Sequence, residues 1–168
     1  MKFEVMSCFN AEQISNDFSI DDCVIISITS PMEKPADINL NNPHIKAILR
    51  LTFDDAEPED KKVFPHMTLM SSSDAKAVLA FINNHKDNVD KIIVHCFAGV
   101  SRSAAVCAAL MLILNGDDME IFDNPNFSPN MHCYRLILEK HGSYNHEITE
   151  QKVNHNIALW RKMEGLDD

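Results

Sequence analysis

The sequence predicts an α/β fold, in which a central, mostly parallel sheet of about four to five strands is flanked by helices on both faces. Apolar, β-branched runs of strand length alternate with helical patterns as far as residue 95, and the chain after that point is helical. The apolar content of 45% is ordinary for a soluble globular protein. We expect one domain over residues 1–168, because this length buries a core without disulfides or metals.

Four segments have the pattern of strands. Residues 3–8 form a short first strand, and residues 23–28 are apolar on both faces, which is typical of a buried parallel strand. Apolar and polar residues alternate over residues 45–53, which predicts a third strand, and residues 91–95 form the fourth. The residues expected to share one face of the third strand are Ile45, Ala47, Leu49, Leu51 and Phe53.

Two helices are predicted in the first half of the chain from their capping residues. Asn10 is expected to cap a brief helical turn that ends at Ser15. Ser73 is expected to cap a second helix, with Asp74 in its first turn and its end near Lys86. The residues that this second helix is expected to bury are Ala77, Val78, Phe81 and Ile82.

Three helices are predicted in the second half. Residues 102–114 are apolar on nearly every side, so this helix should be central, and Gly116 ends it. Ser128 is expected to cap the next helix, with Pro129 in its first turn, and the last helix covers roughly residues 147–163. The residues expected on the buried faces of these two helices are Tyr134, Ile137, Leu138 and His141, and Val153, Ile157 and Trp160.

Composition excludes several classes of partner. The formal net charge is −10, from 25 acidic and 15 basic residues, whereas nucleic acid and anionic membranes both require a positive surface. The longest apolar run, residues 104–114, is far shorter than the roughly 20 residues of a membrane span, and no secretory signal is recognised. Five cysteines without regular spacing predict neither a disulfide framework nor a metal site. We therefore expect a cytoplasmic protein without metal or cofactor.

The residues that end the fourth predicted strand and follow it are the candidate catalytic residues. An apolar run over residues 92–94 leads to Cys96, Arg102 follows after five residues, and a small-residue apolar helix begins at once. A loop of backbone N–H groups at a helix N-terminus is a ready anion site. A cysteine in that field loses its proton easily and becomes a nucleophile. This pattern predicts cysteine-based chemistry on a phosphate group.

Each residue type in this loop suits that chemistry. The sulfur of Cys96 is the attacking atom. Gly99 permits a positive φ and, because it has no side chain, keeps the pocket clear. Arg102 supplies a planar, two-pronged donor that matches phosphate oxygens, and Ser103 has a hydroxyl that can donate to the sulfur when it leaves. The residues whose backbone N–H groups are expected to surround the phosphate are Phe97, Ala98, Gly99, Val100, Ser101 and Arg102.

The sequence His95-Cys96-x5-Arg102-Ser103, with Gly99 inside it, resembles the signature of the cysteine-dependent protein tyrosine phosphatases, and its full form resembles their dual-specificity-like branch. The resemblance implies a phosphatase-like three-layer sandwich and a phosphocysteine intermediate on Cys96. It also implies that Arg102 binds the phosphate, that His95 tunes the thiol, and that Ser103 assists hydrolysis of the intermediate.

The family also requires a carboxylic acid on a separate loop, to protonate the leaving oxygen and later to activate water. No Trp-Pro-Asp sequence is present, but the third strand runs into Asp54 and Asp55, where dual-specificity enzymes keep their acid. We favour Asp55, with Asp54 and Asp60 as alternatives. The interval to Cys96 is longer than usual in the family, so residues 56–70 must accommodate an insertion.

The neutral interior of the loop favours a singly phosphorylated group over a polyphosphate. The expected partner is a phosphorylated protein or peptide, with phosphotyrosine first and phosphoserine or phosphothreonine second. A phosphate-binding interaction module without turnover and a phosphatase for a non-protein substrate such as a phosphoinositide are the alternatives. Sulfur transfer and arsenate reduction fit less well, because the histidine before Cys96 and the serine after Arg102 belong to the phosphatase pattern.

Overall fold

The computed structural model describes residues 1–166, and four parallel strands form its sheet. The strands lie in the order β1-β4-β2-β3, which places β4 and β2 in the centre. This arrangement confirms the predicted α/β class, with four strands in the sheet of the described residues. The strand bounds are Lys2–Ser7 (β1), Cys23–Thr29 (β2), Ile45–Thr52 (β3) and Lys91–Cys96 (β4).

Helices cover both faces of the sheet, and the two faces are covered unequally. Their bounds are Cys8–Ser15 (α1), Ser72–His85 (α2), Arg102–Asn115 (α3), Met119–Phe122 (α4), Met131–His141 (α5) and His146–Met163 (α6), with a short 3₁₀ helix at Asp60–Lys62. The larger core lies between the sheet and α2, α3 and α5, whereas α1 and the segment around Ala36 and Ile38 cover the opposite face.

The central strands are buried because each of their faces packs against apolar side chains. Every residue of β2 is buried, as its continuous apolar run predicts. In β4, Ile92 and Val94 enter the larger core and Ile93 enters the smaller one. Cys96 is the last residue of this central strand, at the sheet edge where parallel α/β folds bind their ligands.

Two of the predicted N-caps are displaced by a few residues. Ser7 caps α1 by accepting a hydrogen bond from the backbone N–H of Asn10, so the helix begins directly after β1. Ser71 caps α2, and its reciprocal bonds with Asp74 form a complete capping box, so Ser73 lies inside the first turn. In both cases the serine with extended backbone, rather than the later candidate, provides the oxygen for the helix N-terminus.

The cap of α5 also differs from the prediction. Asn130 caps this helix through its side-chain oxygen, which accepts from the N–H of Cys133. Ser128 is held elsewhere, because its N–H donates to the carbonyl of Val100 at 3.1 Å. The helix therefore begins at Met131, after residues 128–130, whose backbone binds the loop that follows β4.

A register shift in the sheet changes the faces of β3. Cys23 pairs with Ile45, but Val24 pairs with Ala47, so β3 has one extra residue at its start. As a result Ile45 packs in the smaller core, while Leu51 enters the larger one. The expectation that Ile45 shares a face with the later apolar residues of β3 is therefore wrong.

The predicted buried face of α6 is also wrong in part. Ile157 and Trp160 are 49% and 44% exposed, whereas Thr149 and Asn156 are buried. Asn156 faces the protein because its side-chain amide donates to the carbonyl of Phe122. Of the predicted apolar stripe, only Val153 packs against the larger core in the described part of the chain, and buried polar residues anchored by hydrogen bonds take the place of the rest.

The other predicted faces agree better with the structure. In α5, Tyr134, Ile137 and Leu138 are buried as expected, but His141, at the helix end, is exposed. In α2, Val78 and Ile82 are buried, whereas Ala75 replaces the predicted and only partly buried pair Ala77 and Phe81. Within residues 1–166, no helix is both long enough and apolar enough to cross a membrane.

Candidate active site

The loop between β4 and α3, residues 96–102, is called the signature loop below. Its glycine, Gly99, has φ +76°, which confirms the predicted left-handed conformation. A Cβ at this position would lie 2.6 Å from the backbone carbon of Met6 and 2.6 Å from the backbone nitrogen of Ser7. The absent side chain therefore makes room for β1, and the expectation that it clears the phosphate pocket is wrong.

Three backbone carbonyls of the signature loop accept hydrogen bonds from residues outside the loop. Every described peptide bond is trans, so the C=O and N–H groups of one peptide point in opposite directions. Where the carbonyl accepts a hydrogen bond from outside the loop, the N–H of the next residue therefore points the other way. Within residues 1–166, the N–H groups of residues 97–102 donate to no protein acceptor. They are therefore available to an anion. The bound carbonyls are those of Phe97, Val100 and Ser101, which accept from the N–H groups of Cys8, Ser128 and Asn130.

Cys96 and Ser103 lie together at the base of this loop. The thiol residue is 2% exposed, and its Sγ lies 3.1 Å from the hydroxyl oxygen of Ser103. Ser103 is fully buried in the first turn of α3, so its hydroxyl has a fixed position. A hydroxyl at this distance can donate a hydrogen bond to a thiolate.

One edge of the Arg102 guanidinium is anchored to two neighbouring strand ends. Its Nη1 donates to the carbonyl of Phe53 at 2.8 Å and to the hydroxyl of Ser30 at 2.9 Å. Its buried Nε has no hydrogen-bond partner in the described part of the chain. The anchored edge orients the planar group, and the remaining donors suit a two-pronged contact with an oxyanion.

Ser30 was not among the residues predicted for the site. It follows β2 directly, and the carboxyl ends of parallel strands meet at one sheet edge. Its position at a strand end is the feature of the sequence from which its role can be predicted. The pattern around Ser30 is that of a proline-containing loop, which does not by itself indicate a functional residue.

The structure separates the three candidate carboxylates. Oδ1 of Asp55 accepts from the Ser101 hydroxyl at 2.8 Å and from the Asn130 amide at 3.0 Å, so this side chain is joined to the signature loop. Asp54 instead pairs with Thr68, whose N–H donates to its carboxylate at 2.8 Å. This pairing closes the base of the loop between β3 and α2.

Asp60, the third candidate, forms a hydrogen bond within its own turn. Its carboxylate accepts from the N–H of Glu57 at 2.7 Å, close to the 3₁₀ helix. The inserted residues 56–70 thus form a loop with internal hydrogen bonds, and of the three candidates only Asp55 contacts the signature loop within the described residues.

Two further residues attach this acidic loop to α5, and neither was predicted. Asn130 holds Asp55 and also donates to the carbonyl of Ala56 at 3.3 Å. The N–H of Met131, at the start of α5, donates to the carboxylate of Glu57 at 2.9 Å. Asparagine is a strong helix cap, but its second role depends on a contact between segments 75 residues apart in sequence.

His95 lies on the opposite side of β4 from Cys96, because consecutive strand residues face opposite ways. Its side chain is buried, and its backbone lies opposite Ser27 in the register of β2 and β4. Burial lowers the pKa of His95 below its ordinary value, which favours the neutral imidazole.

The other four cysteines of the chain lie outside the signature loop. Cys23, Cys107 and Cys133 are buried, whereas Cys8 is half-buried. Burial raises the pKa of Cys23 to about 11 and raises the pKa values of the other three as well. These thiols are therefore held in the protonated form, which is a poor nucleophile. Residues 1–166 contain no cluster of three or more His, Cys, Asp or Glu side chains suited to a metal.

Comparison with known protein families gives a match over most of the chain. The sequence profile described as "Dual specificity phosphatase, catalytic domain" matches residues 24–142, which include all three acidic candidates, the whole signature loop and α5. The chain belongs to the dual specificity phosphatase family. This match confirms the resemblance to the dual-specificity-like branch of the cysteine-dependent tyrosine phosphatases.

Solved structures support the fold of this dual specificity phosphatase. The crystal structure of PTPMT1 has 17% sequence identity and a TM-score of 0.52, with 91% of this chain and 95% of that chain covered. The structure of a mouse putative dual specificity phosphatase complexed with zinc tungstate has 18% identity and a TM-score of 0.50, with 82% and 80% covered. No curated protein gives a significant match.

Proposed function

We propose that this dual specificity phosphatase hydrolyses phosphomonoesters in two steps through a phosphocysteine on Cys96. Phosphotyrosine in proteins is the foremost substrate, with phosphoserine and phosphothreonine as further substrates. The observation that carries the proposal is the 3.1 Å approach of Cys96 Sγ and Ser103 Oγ beneath a loop whose N–H groups find no acceptor among residues 1–166.

In the first step, the Cys96 thiolate attacks phosphorus and the bond from phosphorus to the ester oxygen breaks. Asp55, in its protonated form, gives its proton to that oxygen, which leaves as a neutral alcohol or phenol. The N–H groups of residues 97–102 and the free donors of Arg102 bind the other phosphate oxygens. Their charge grows in the transition state, so these contacts accelerate the step.

In the second step, water attacks the phosphocysteine and Asp55, now a carboxylate, takes the proton of that water. The phosphorus–sulfur bond breaks, inorganic phosphate leaves, and the thiolate is restored. Ser103 stabilises the leaving sulfur by donating its hydroxyl hydrogen. His95 transfers no proton in this scheme, because its neutral ring lies on the other face of β4; it supports the strand end that carries Cys96.

The surroundings of the loop support a monophosphate on a protein. No side chain of residues 97–101 is charged, and Asp54, Asp55 and Glu57 lie on the adjoining loop, so a polyphosphate would be repelled. Phe97 is 66% exposed and offers an apolar contact for an aromatic leaving group. A reducing compartment such as the cytoplasm would keep the five cysteines of the described chain as free thiols.

The experiment that tests the proposal measures turnover of an aryl phosphate by the wild type, by Cys96→Ser and by Cys8→Ser. Cys96→Ser should abolish turnover, whereas Cys8→Ser, a matched change in a half-buried thiol, should retain it. Equal, low rates for the wild type and Cys96→Ser would instead support a binding module without turnover.

A substrate panel distinguishes the remaining alternatives. Phosphotyrosine, phosphoserine and phosphothreonine peptides and phosphoinositides are compared by kcat/KM under one set of conditions. The proposal expects the phosphotyrosine peptides to be the best substrates. Faster turnover of a phosphoinositide than of any phosphopeptide would overturn the choice of substrate, while leaving the phosphocysteine chemistry intact.

A further inference from the structure

We infer that Asn130 is the positioning residue for the general acid, and that it directs the transferable proton to Oδ2 of Asp55. The inference rests on the proposed function, because it concerns the acid of that reaction. Asn130 is 6% exposed and lies between Pro129 and the first turn of α5. It joins three parts of the molecule: the signature loop, the acidic loop and a helix N-terminus.

The orientation of the Asn130 amide is determined by α5. The helix N-terminus presents only N–H donors, so the amide oxygen must face the N–H of Cys133, which lies 3.0 Å away. The amide nitrogen then faces the acidic loop, where its two hydrogens reach Oδ1 of Asp55 at 3.0 Å and the carbonyl of Ala56 at 3.3 Å. All the hydrogen-bonding groups of this side chain are used.

This arrangement makes the two oxygens of Asp55 different. Oδ1 accepts two hydrogen bonds, from Ser101 and Asn130, whereas Oδ2 has no hydrogen-bond partner in the described part of the chain. An oxygen that already accepts two donors is the carbonyl-like oxygen of a protonated carboxyl group. The proton therefore resides on Oδ2, which is the oxygen free to meet the leaving group.

The backbone around Asp55 is held by the same residue. The bond from Asn130 to the carbonyl of Ala56 fixes the peptide that follows the acid. The backbone N–H of Asn130 also donates to the carbonyl of Ser101 at 3.3 Å. A shift of about 1 Å in a catalytic group can cost ~100-fold in rate, so loss of this double attachment should affect proton transfer.

The test is Asn130→Ser, which removes the amide donors but keeps a good helix cap. A series of aryl phosphates is used, and log kcat/KM is plotted against the pKa of the leaving phenol. We expect ~10-fold or greater loss for the poorest leaving groups, little loss for the best, and hence a steeper slope than in the wild type. The thermal midpoint should change little.

Asn145→Ser is the matched control. Asn145 caps α6 in the same way, through its side-chain oxygen and the N–H of Ile148, and in the described part of the chain it has no hydrogen bond to a residue of the site. Its substitution should leave the slope unchanged. Asn130→Asp is the second variant, since it retains a cap but places a carboxylate opposite Asp55, and it should steepen the slope at least as much as Asn130→Ser.

A double-mutant cycle separates this inference from the proposed function. In an Asp55→Asn background, Asn130→Ser should have no further effect on the slope, because the acid is already absent. If Asp55→Asn steepens the slope but neither Asn130 variant does, or if the loss is equal for all leaving groups, the inference is wrong and the proposed function stands. If Asp55→Asn itself leaves the slope unchanged, the assignment of the acid fails.

Discussion

The hydroxyl of Ser101 donates a 2.8 Å hydrogen bond to Oδ1 of Asp55, which ties the loop after β4 to the loop after β3. The two residues are 46 positions apart in sequence, and the carboxyl ends of their parallel strands lie at the same sheet edge. This contact places a carboxyl group beside the loop that carries Cys96.

Asp55→Asn should lower kcat/KM by ~100-fold for poor leaving groups and far less for activated ones, because an amide cannot supply a proton. Asp54→Asn is the matched control, since an asparagine oxygen can still accept from the N–H of Thr68 and preserve the loop. The measurement is the leaving-group series with both variants. A stronger effect of Asp54→Asn would assign the acid to Asp54 instead.

Arg102→Lys should lower kcat/KM by ~100-fold or more, because an ammonium group cannot hold both the Phe53 carbonyl and two phosphate oxygens in one plane. Ser30→Ala removes only one of the two anchors of Nη1 and should cause a smaller loss. The affinity for inorganic phosphate, measured by competitive inhibition, should decrease in the same order. Equal activity of Arg102→Lys and the wild type would contradict a two-pronged contact.

Ser103→Ala should slow the breakdown of the phosphocysteine, because the leaving sulfur loses the hydroxyl that lies 3.1 Å away. We expect kcat to fall by ~100-fold, as for the loss of one donor to a developing anion. Rapid-quench kinetics with an activated aryl phosphate should then show a burst of phenol close to one equivalent of enzyme. Unchanged kcat without a burst would remove Ser103 from the second step.

Gly99→Ala should destabilise the protein more than Gly116→Ala does. Both glycines have φ +76°, but a Cβ at Gly116 meets no atom of residues 1–166 within 4 Å, whereas at Gly99 it meets the backbone of Met6 and Ser7. Gly116→Ala therefore measures the conformational cost alone, which is about 1 kcal/mol. Chemical denaturation gives both values, and equal losses would show that β1 moves aside without cost.

His95 should make the stability of the protein sensitive to mild acid. Burial lowers its pKa below the ordinary value of 6.5, so as the pH falls through 6.5 the unfolded chain binds a proton that the folded protein does not. The free energy of unfolding therefore decreases on acidification, by at most about 1.4 kcal/mol per pH unit, until the lowered pKa is reached.

Urea unfolding at about pH 7.5 and about pH 5.5 tests this expectation, because histidine titrates in that range. His95→Gln should reduce the difference in the free energy of unfolding between the two pH values, even if it lowers both. His66→Gln, at an exposed histidine, is the control and should preserve the difference. An unchanged difference in His95→Gln would show that other groups cause the acid sensitivity.

The local patterns that could be predicted share one property: they depend on neighbours in sequence. The apolar run of β2, the apolar helix α3 and the positive φ of Gly99 follow from residues a few positions apart. The faces of β3 and α6 could not be predicted in the same way. A register shift opposite Cys23 moves Ile45 to the other core, and the bond from Asn156 to Phe122 turns a polar stripe inward.

The strand, loop and helix around Cys96, together with Gly99, Arg102 and Ser103, follow from the local sequence, because a nucleophile at a helix N-terminus is encoded in consecutive residues. The aspartate that contacts the signature loop, the anchors of Arg102 and the neighbours of Gly99 depend on the folded arrangement. Those contacts join Asp55 to Asn130, and Arg102 to Ser30, across strands and helices. They depend on the order of the parallel strands, which brings distant loops to one edge.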